Sequence, residues 1–232
     1  MKAIIFDMDG VLVDSMADHA EAWKQALATV KIIIDRKDIY ELEGSNHMQI
    51  VELVFRHFGL IPTEEIVQEL SSKKVEIFNR IEHVRPFKGI KELLLSLKSK
   101  YKLAVVSGSN GKTVHSFMET FFPGIFQVIV DGDEVKKSKP SPEPYLMAVE
   151  KLGLGKEHCL VIENSPLGIR SAKSAGLRCL GIPTYLEREY LKEADVIVEN
   201  HRELGKYIQL EEEREEEAEE GVNKETITLA LV

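Results

Sequence analysis

The chain has 232 residues, of which 44% are hydrophobic and 30% are charged, and its formal net charge is −9. This length suits one sizeable core or a core with an inserted lobe. Residues 211–220 hold eight glutamates and one arginine, a net charge of −7, so the remaining residues sum to only −2. A body this close to neutral argues against nucleic acid as a partner recognised by bulk charge.

The apolar residues also argue against a membrane protein. No segment approaches the roughly 18 uninterrupted apolar residues that a membrane helix needs. The first residues, MKAIIFDMDG, reach two aspartates too soon for the apolar region of a signal peptide. Cys159 and Cys179 each lie in an apolar run, which is typical of buried, reduced thiols. We therefore expect a soluble, cytoplasmic protein with no membrane partner.

Short apolar runs that end in polar residues recur along the chain, and each predicts a buried parallel strand. The first run covers residues 2–6 and ends at Asp7. The others lie near 101–109, 126–134, 159–165, 177–183 and 194–200. Helical patterns between them cover 89–100, 141 to about 152, and 166–175. This alternation predicts an α/β fold with a Rossmann-like parallel sheet covered by helices on both faces.

Residues 15–84 break the alternation, because their apolar residues follow helical spacing and include no clear strand. We interpret them as an all-helical cap domain inserted after the first strand. The predicted organisation is a core of residues 1–14 and 85–210, a cap of residues 15–84 and an acidic C-terminal tail of residues 211–232. Two alternatives stay open for the tail. It is disordered, or its apolar end at 227–232 docks on the body or on a neighbouring subunit.

Polar residues follow the predicted strands at the sheet edge where open parallel sheets bind ligands. Asp7 and Asp9 follow the first run, residues 107–110 follow the second, and Glu163 begins the polar end of the fourth. Lys139 lies in a proline-rich loop nearby in sequence. These residue types suit phosphoryl transfer, in which a carboxylate attacks phosphorus and a second acid moves protons. Carboxyl oxygens gather Mg²⁺, while lysine and a Ser-Gly-Ser turn hold phosphate oxygens.

The run FDMDGVLVDS resembles the first signature of the haloacid dehalogenase superfamily, D-x-D-G-x-[LVI]. Three further signatures follow in order, namely VVSGS, the lysine of KSKPSPEPY, and VIENSPLGIRSAKSAG. Four elements in order are far more specific than one aspartate pair. The match covers residues 1–14 and about 85–200, and the inserted segment resembles the small helical cap of the β-phosphoglucomutase-like branch.

The resemblance implies a role for each matching residue. Asp7 is the expected nucleophile and a magnesium ligand. Asp9 is the expected general acid and base, with its backbone carbonyl on the metal. Ser107 and Gly108 are expected to bind phosphate, and Lys139 to brace both Asp7 and the phosphoryl group.

Glu163 and Asn164 stand at the acidic positions of the fourth signature and complete the implied set of magnesium ligands. That signature usually ends in two acids. The amide oxygen of Asn164 can still ligate Mg²⁺, but it brings no charge. Two alternatives follow, either weaker metal affinity or a ligand set shifted towards Glu163.

The cap offers further candidates. Residues 43–47 fall where the branch places its substrate-specificity loop, and His19 matches a cleft histidine of that branch. The predicted substrate-specificity residues are His19, Gly44, His47 and Asn110. Asn110 has the alternative role of capping the following helix. Lys73 and Lys74 are expected to be surface charges.

The leading hypothesis is Mg²⁺-dependent hydrolysis of a small phosphorylated metabolite through an aspartyl-phosphate intermediate. A sugar phosphomutase of the β-phosphoglucomutase type is one alternative, and it needs cationic groups in the cap for a second phosphate. Glu43 and His47 stand where the mutase pattern carries lysine and arginine, which favours simple hydrolysis. A non-catalytic binding protein also stays open because of Asn164. The oligomeric state, monomer or weak dimer, is open as well.

Overall fold

The computed structural model describes residues 1–214, so the apolar end at 227–232 lies outside the described residues. The strands are β1 Ala3–Asp7, β2 Val13–Asp14, β3 Arg85–Pro86, β4 Lys102–Val106, β5 Val128–Val130, β6 Cys159–Glu163, β7 Arg178–Gly181 and β8 Val196–Ile197. The α-helices are α1 Met16–Ala28, α2 Arg36–Glu41, α3 His47–His57, α4 Glu64–Ile81, α5 Ile90–Leu97, α6 Gly111–Phe121, α7 Glu143–Leu152 and α8 Pro166–Ser174. A last helical stretch covers residues 204–214.

The predicted parallel sheet is confirmed. Six strands pair in the order β5-β4-β1-β6-β7-β8, and every neighbouring pair is parallel. All five residues of β1 are buried, because β1 lies in the middle of the sheet with helices on both faces. Strands β4, β1 and β6 are neighbours, with Asp7 in register with Val106. Their carboxyl ends therefore bring Asp7, Ser107 and Glu163 to one edge.

Two apolar layers cover the sheet, and successive residues of β1 point into opposite layers. Ile4 and Phe6 pack into the layer formed by α5, α6 and the stretch 204–214. Ala3 and Ile5 pack into the layer formed by α7 and α8. A uniformly apolar strand is thus what burial on both faces requires, which is why the sequence showed runs rather than alternation.

The inserted segment is helical, as predicted. Helices α1 to α4 enclose an apolar core of their own that includes Trp23, Val54 and Leu70. The chain enters this cap through β2 and leaves it through β3, and these two strands pair antiparallel. A two-stranded ribbon therefore ties together the two connections between cap and core.

The described part of the C-terminal region packs against the core. Glu211 is buried and pairs with Arg178, whose Nη2 donates to Glu211 Oε1 at 2.7 Å. Glu211, the first residue of the predicted acidic tail, thus packs with the core domain, because Arg178 forms an ion pair with its carboxylate. Cys159 and Cys179 are free, buried thiols. None of the helices within residues 1–214 is long and apolar enough to span a membrane.

Candidate active site

Asp7 ends β1 in a buried ion pair with Lys139. Lys139 Nζ donates to Asp7 Oδ1 and to Glu163 Oε1, each at 2.6 Å. Burial raises the pKa of Asp7 well above its usual value, and Lys139 opposes that shift. Burial alone would lower the pKa of Lys139, but Asp7 and Glu163 outweigh it and raise that pKa. The lysine therefore stays charged between two carboxyl groups.

Glu163 is fully engaged by protein groups. Its Oε1 also accepts a hydrogen bond from the Tyr145 hydroxyl at 2.9 Å. Its Oε2 accepts from the backbone N–H groups of Asn164 and Ser165 at 2.8 and 2.9 Å. Both oxygens of Glu163 already have protein donors, so its role as a magnesium ligand stays a prediction that this arrangement does not favour. Glu163 fixes the position of Lys139.

Asp9 lies two residues beyond the strand and accepts hydrogen bonds on both oxygens. Its Oδ1 accepts from Ser15 Oγ at 2.5 Å and lies 3.1 Å from His19 Nε2. Its Oδ2 accepts from the hydroxyls of Ser107 and Ser109, each at 3.2 Å. Burial opposes ionisation of Asp9, but His19 and Ser15 outweigh it and hold the pKa below its usual value. Asp9 is therefore ionised in this arrangement.

Lys74 is buried in the cap, which corrects the expectation that it is a surface charge. Its Nζ lies 2.7 Å from His19 Nδ1 and 3.0 Å from His47 Nε2. Burial lowers the pKa of Lys74 to about 7, against the opposing pull of Asp9. Burial also lowers the pKa of both histidines, so each ring accepts from Lys74 as a neutral imidazole. The result is a hydrogen-bonded chain from Lys74 through His19 to Asp9.

The loop at residues 43–47 reaches from the cap onto the core. Gly44 has a φ of +90°, and a Cβ there would lie 2.9 Å from Lys139 Cδ. Ser45 Oγ donates to the Lys139 carbonyl at 3.0 Å. A Cβ on Gly108 would lie 2.6 Å from the Gly44 carbonyl oxygen. Both glycines are thus needed for close approach of the two domains.

Asn110 does not line the cavity beside Asp7. It is the N-cap of α6, and its Oδ1 accepts a hydrogen bond from the Thr113 backbone N–H at 3.0 Å. Of the two roles left open for Asn110, the structure shows the capping one. Ser107 and Ser109 precede the same helix, so they sit where a helix N-terminus favours an anion.

A small cavity of about 30 Å³ lies between cap and core. Its lining includes Asp7, Asp9, His19, Glu43, His47 and Lys74. This volume has room for only about one or two water molecules. The described conformation is therefore a closed one, in which the cap leaves no space for a metabolite.

Oxygen atoms in and beside this cavity are candidate ligands for a metal ion. Asp7 Oδ2 and Asn164 Oδ1 are buried, and no group within the described part of the chain forms a hydrogen bond with them. Within residues 1–214, no group of three His, Cys, Asp or Glu side chains could hold a metal ion. A cation here would therefore depend on the amide oxygen and on a backbone carbonyl as well. Such all-oxygen ligands suit Mg²⁺, so the residues fit the ion.

The sequence of this chain matches the pattern of a known protein family over most of its length. A family model described as haloacid dehalogenase-like hydrolase matches residues 4–182. The chain belongs to this family. The resemblance noted from the four signatures is thereby confirmed.

Similar proteins fall in the β-phosphoglucomutase-like branch and among phosphatases. A beta-phosphoglucomutase of Bacillus subtilis is 30% identical over 190 residues, which cover 78% of this chain and 83% of that protein. A phosphoglycolate phosphatase of Aquifex aeolicus is 31% identical over 77% of this chain and 83% of its own. The structure of CbbY from Rhodobacter sphaeroides in complex with phosphate has a TM-score of 0.76 at 29% identity. It covers 88% of this chain and 96% of that one.

Sequence reasoning missed Lys74 in this haloacid dehalogenase-like hydrolase. The neighbouring pair of lysines suggested a solvated helix face. Lys74 is four residues from both Leu70 and Phe78, however, and all three are buried. That i, i+4 spacing was the available signal, because it places Lys74 on the apolar face of α4.

Proposed function

We propose that the protein is a Mg²⁺-dependent phosphatase that hydrolyses a phosphomonoester of a small metabolite. The observation that carries the proposal is the buried trio of Asp7, Asp9 and Lys139, with Lys139 Nζ 2.6 Å from Asp7 Oδ1. Family membership and the phosphatase among the relatives support it. Asp7 is the nucleophile, and the intermediate is an aspartyl-phosphate.

In the first half-reaction, Asp7 Oδ1 attacks phosphorus, and the bond from phosphorus to the leaving oxygen breaks. Lys139 holds Oδ1 in place and offsets charge on the phosphoryl oxygens. Ser107 and Gly108, before the N-terminus of α6, bind those oxygens. The negative charge of a bound phosphoryl group raises the pKa of Asp9 and favours its protonated form. Asp9 then gives this proton to the leaving oxygen and becomes the carboxylate.

In the second half-reaction, the carboxylate of Asp9 takes a proton from water, and the water oxygen attacks phosphorus. The bond between phosphorus and Asp7 Oδ1 breaks, which releases phosphate and restores the Asp7 carboxylate. Asp9 ends protonated, ready for the next substrate. Residues that would hold Mg²⁺ are Asp7 through Oδ2, Asn164 through Oδ1 and Asp9 through its backbone carbonyl. The charge of the bound ion would offset repulsion between these carboxylates and the phosphoryl group.

The sugar phosphomutase remains a second candidate because one observation favours it. Lys74, His19 and His47 form a buried cluster of basic side chains in the cap, which the sequence did not lead us to expect. Such a cluster is what a second phosphate would need. A hexose phosphate assayed with and without a hexose bisphosphate primer separates the two, since only a mutase needs the primer and returns an isomer.

The phosphatase proposal is tested with an aryl phosphate, with EDTA and then with added Mg²⁺. We expect release of inorganic phosphate only with Mg²⁺. Asp7→Asn should lower turnover by ~10³-fold or more while the protein stays folded, because the amide cannot act as an anionic nucleophile. More than a tenth of wild-type activity in a contamination-free Asp7→Asn sample contradicts the nucleophile assignment. A panel of phosphorylated metabolites then identifies the substrate class.

A further inference from the structure

Three buried oxygen atoms at the active site have no hydrogen-bond partner among the described residues, and one of them belongs to the cap. They are Asp7 Oδ2, Asn164 Oδ1 and Glu43 Oε1. An unpaired buried oxygen of a carboxyl or amide group is unfavourable, and a native structure rarely keeps one without a ligand. Asp7 and Glu43 line the same cavity, and Asn164 is hydrogen-bonded to Glu43, so a shared electropositive partner would satisfy all three oxygens.

Glu43 is held against the residue that departs from the family signature. Asn164 Nδ2 donates to Glu43 Oε2 at 3.2 Å, across 121 positions of sequence. Glu43 is only 7% exposed and lines a cavity together with Asp7 and Asp9. Another buried carboxylate close to these acidic side chains needs a cation nearby.

We infer that Glu43 is a cap-derived ligand of the magnesium ion and supplies the negative charge that Asn164 lacks. This inference rests on the proposed function, because it assumes the same metal. Asn164 offers Oδ1 to the ion and uses its Nδ2 to orient Glu43. An aspartate at position 164 would instead repel Glu43, so the amide and the cap carboxylate form a matched pair. The ion would then join the cap to the core.

The test measures Mg²⁺ binding by calorimetry in the full chain, without substrate. Glu43→Gln should weaken Mg²⁺ binding by about tenfold or more, because one charged ligand is lost. Glu41→Gln removes the same charge two residues away on α2 and should bind Mg²⁺ like the wild type. The double variant Glu43→Gln/Asn164→Asp moves the charge from the cap to the core and should recover most of the lost affinity.

Melting in metal-free buffer provides a second readout. Mg²⁺ should raise the melting temperature of the wild type more than that of Glu43→Gln, since stabilisation follows metal affinity. Equal Mg²⁺ affinity in Glu43→Gln and the wild type overturns the assignment of Glu43 as a ligand. A loss of Mg²⁺ affinity in Glu41→Gln as large as that in Glu43→Gln also overturns it. If Asp7→Asn still weakens binding in those cases, the magnesium site of the proposed function stands. A wild type that binds no Mg²⁺ overturns both proposals.

Discussion

Asp9 accepts hydrogen bonds from four side chains that come from both domains. Ser15 and His19 belong to the start of α1, whereas Ser107 and Ser109 precede α6. In the described conformation, His19 and Ser15 hold the pKa of Asp9 below its usual value. Movement of α1 away from the core would therefore shift the pKa of Asp9 back towards the ordinary value of a carboxyl group. The proton affinity of Asp9 would thus depend on the position of the cap.

Asp9→Asn should slow turnover and let the aspartyl-phosphate accumulate. The amide cannot take a proton from water, so the second half-reaction loses its base. Intact-protein mass spectrometry after mixing with an aryl phosphate should detect a phosphoryl adduct. The same adduct should be absent from Asp7→Asn. Wild-type turnover in Asp9→Asn excludes Asp9 as the acid and base.

Helix α4 carries a buried amine at a cost to stability. Lys74 has a pKa of about 7 in the folded protein, against an ordinary value of 10.5. Between these pH values the unfolded state binds the extra proton, so folding stability rises with pH in this window. The groups facing Lys74 do not reverse this trend, because Asp9 is already ionised and the lowered pKa values of His19 and His47 keep both rings neutral.

Lys74→Met should raise the melting temperature at pH 7, because it keeps the apolar stem and removes the buried amine. The difference from the wild type should shrink towards pH 10, by about 1.4 kcal/mol per pH unit at most. Thermal unfolding at several pH values measures it. Lys73→Met, at a partly exposed neighbouring position, is the matched control and should show no such pH dependence. A constant gap across this range contradicts the lowered pKa.

Elements of the core were predictable from local sequence, because a strand buried on both faces must be an apolar run and its polar successor must lie at the sheet edge. Asn110 also carried a local signal, since an asparagine before a helix commonly caps it. The partners of Asn164 and Glu163 were not predictable. The contact between Glu43 and Asn164 spans 121 positions, and no local pattern encodes it. A signature carboxylate that is free to bind a ligand cannot be distinguished in the sequence from one that is already hydrogen-bonded, as Glu163 is to Tyr145 and to backbone N–H groups.

The whole molecule is closed, with a cavity of about 30 Å³ between cap and core. A phosphorylated metabolite does not fit that volume, so turnover requires the cap to open and close again. The paired strands β2 and β3 are the only described chain connections between the two domains. We propose that the cap moves as one body about this ribbon.

Gly44→Ala should impair closure and lower turnover. The new Cβ would lie 2.9 Å from Lys139 Cδ, so the loop could no longer settle on the core. Turnover of a small metabolite phosphate should fall by about tenfold or more, since a displaced cap misplaces the reacting groups. Steady-state kinetics measures the loss, and small-angle scattering should show a more open molecule.

Gly59→Ala is the control for backbone strain. Gly59 has a φ of +70° in the same cap, but a Cβ there would have no atom of residues 1–214 within 4 Å. Both substitutions should reduce stability by about 1–2 kcal/mol, because an L-residue disfavours a left-handed backbone. Only Gly44→Ala should lose activity. Equal activity in the two variants would mean that the docked loop is not needed for catalysis.

Trp23 is the single tryptophan of the chain, and it lies within the lining of the cavity. Its ring centroid is 5.9 Å from that of His47 and 5.7 Å from Lys74 Nζ. Indole emission responds to nearby charge and to hydration, and both change when the cap lifts or an anion reaches Lys74. The protein thus carries its own optical reporter, and the fluorescence of unlabelled enzyme should follow ligand binding in real time.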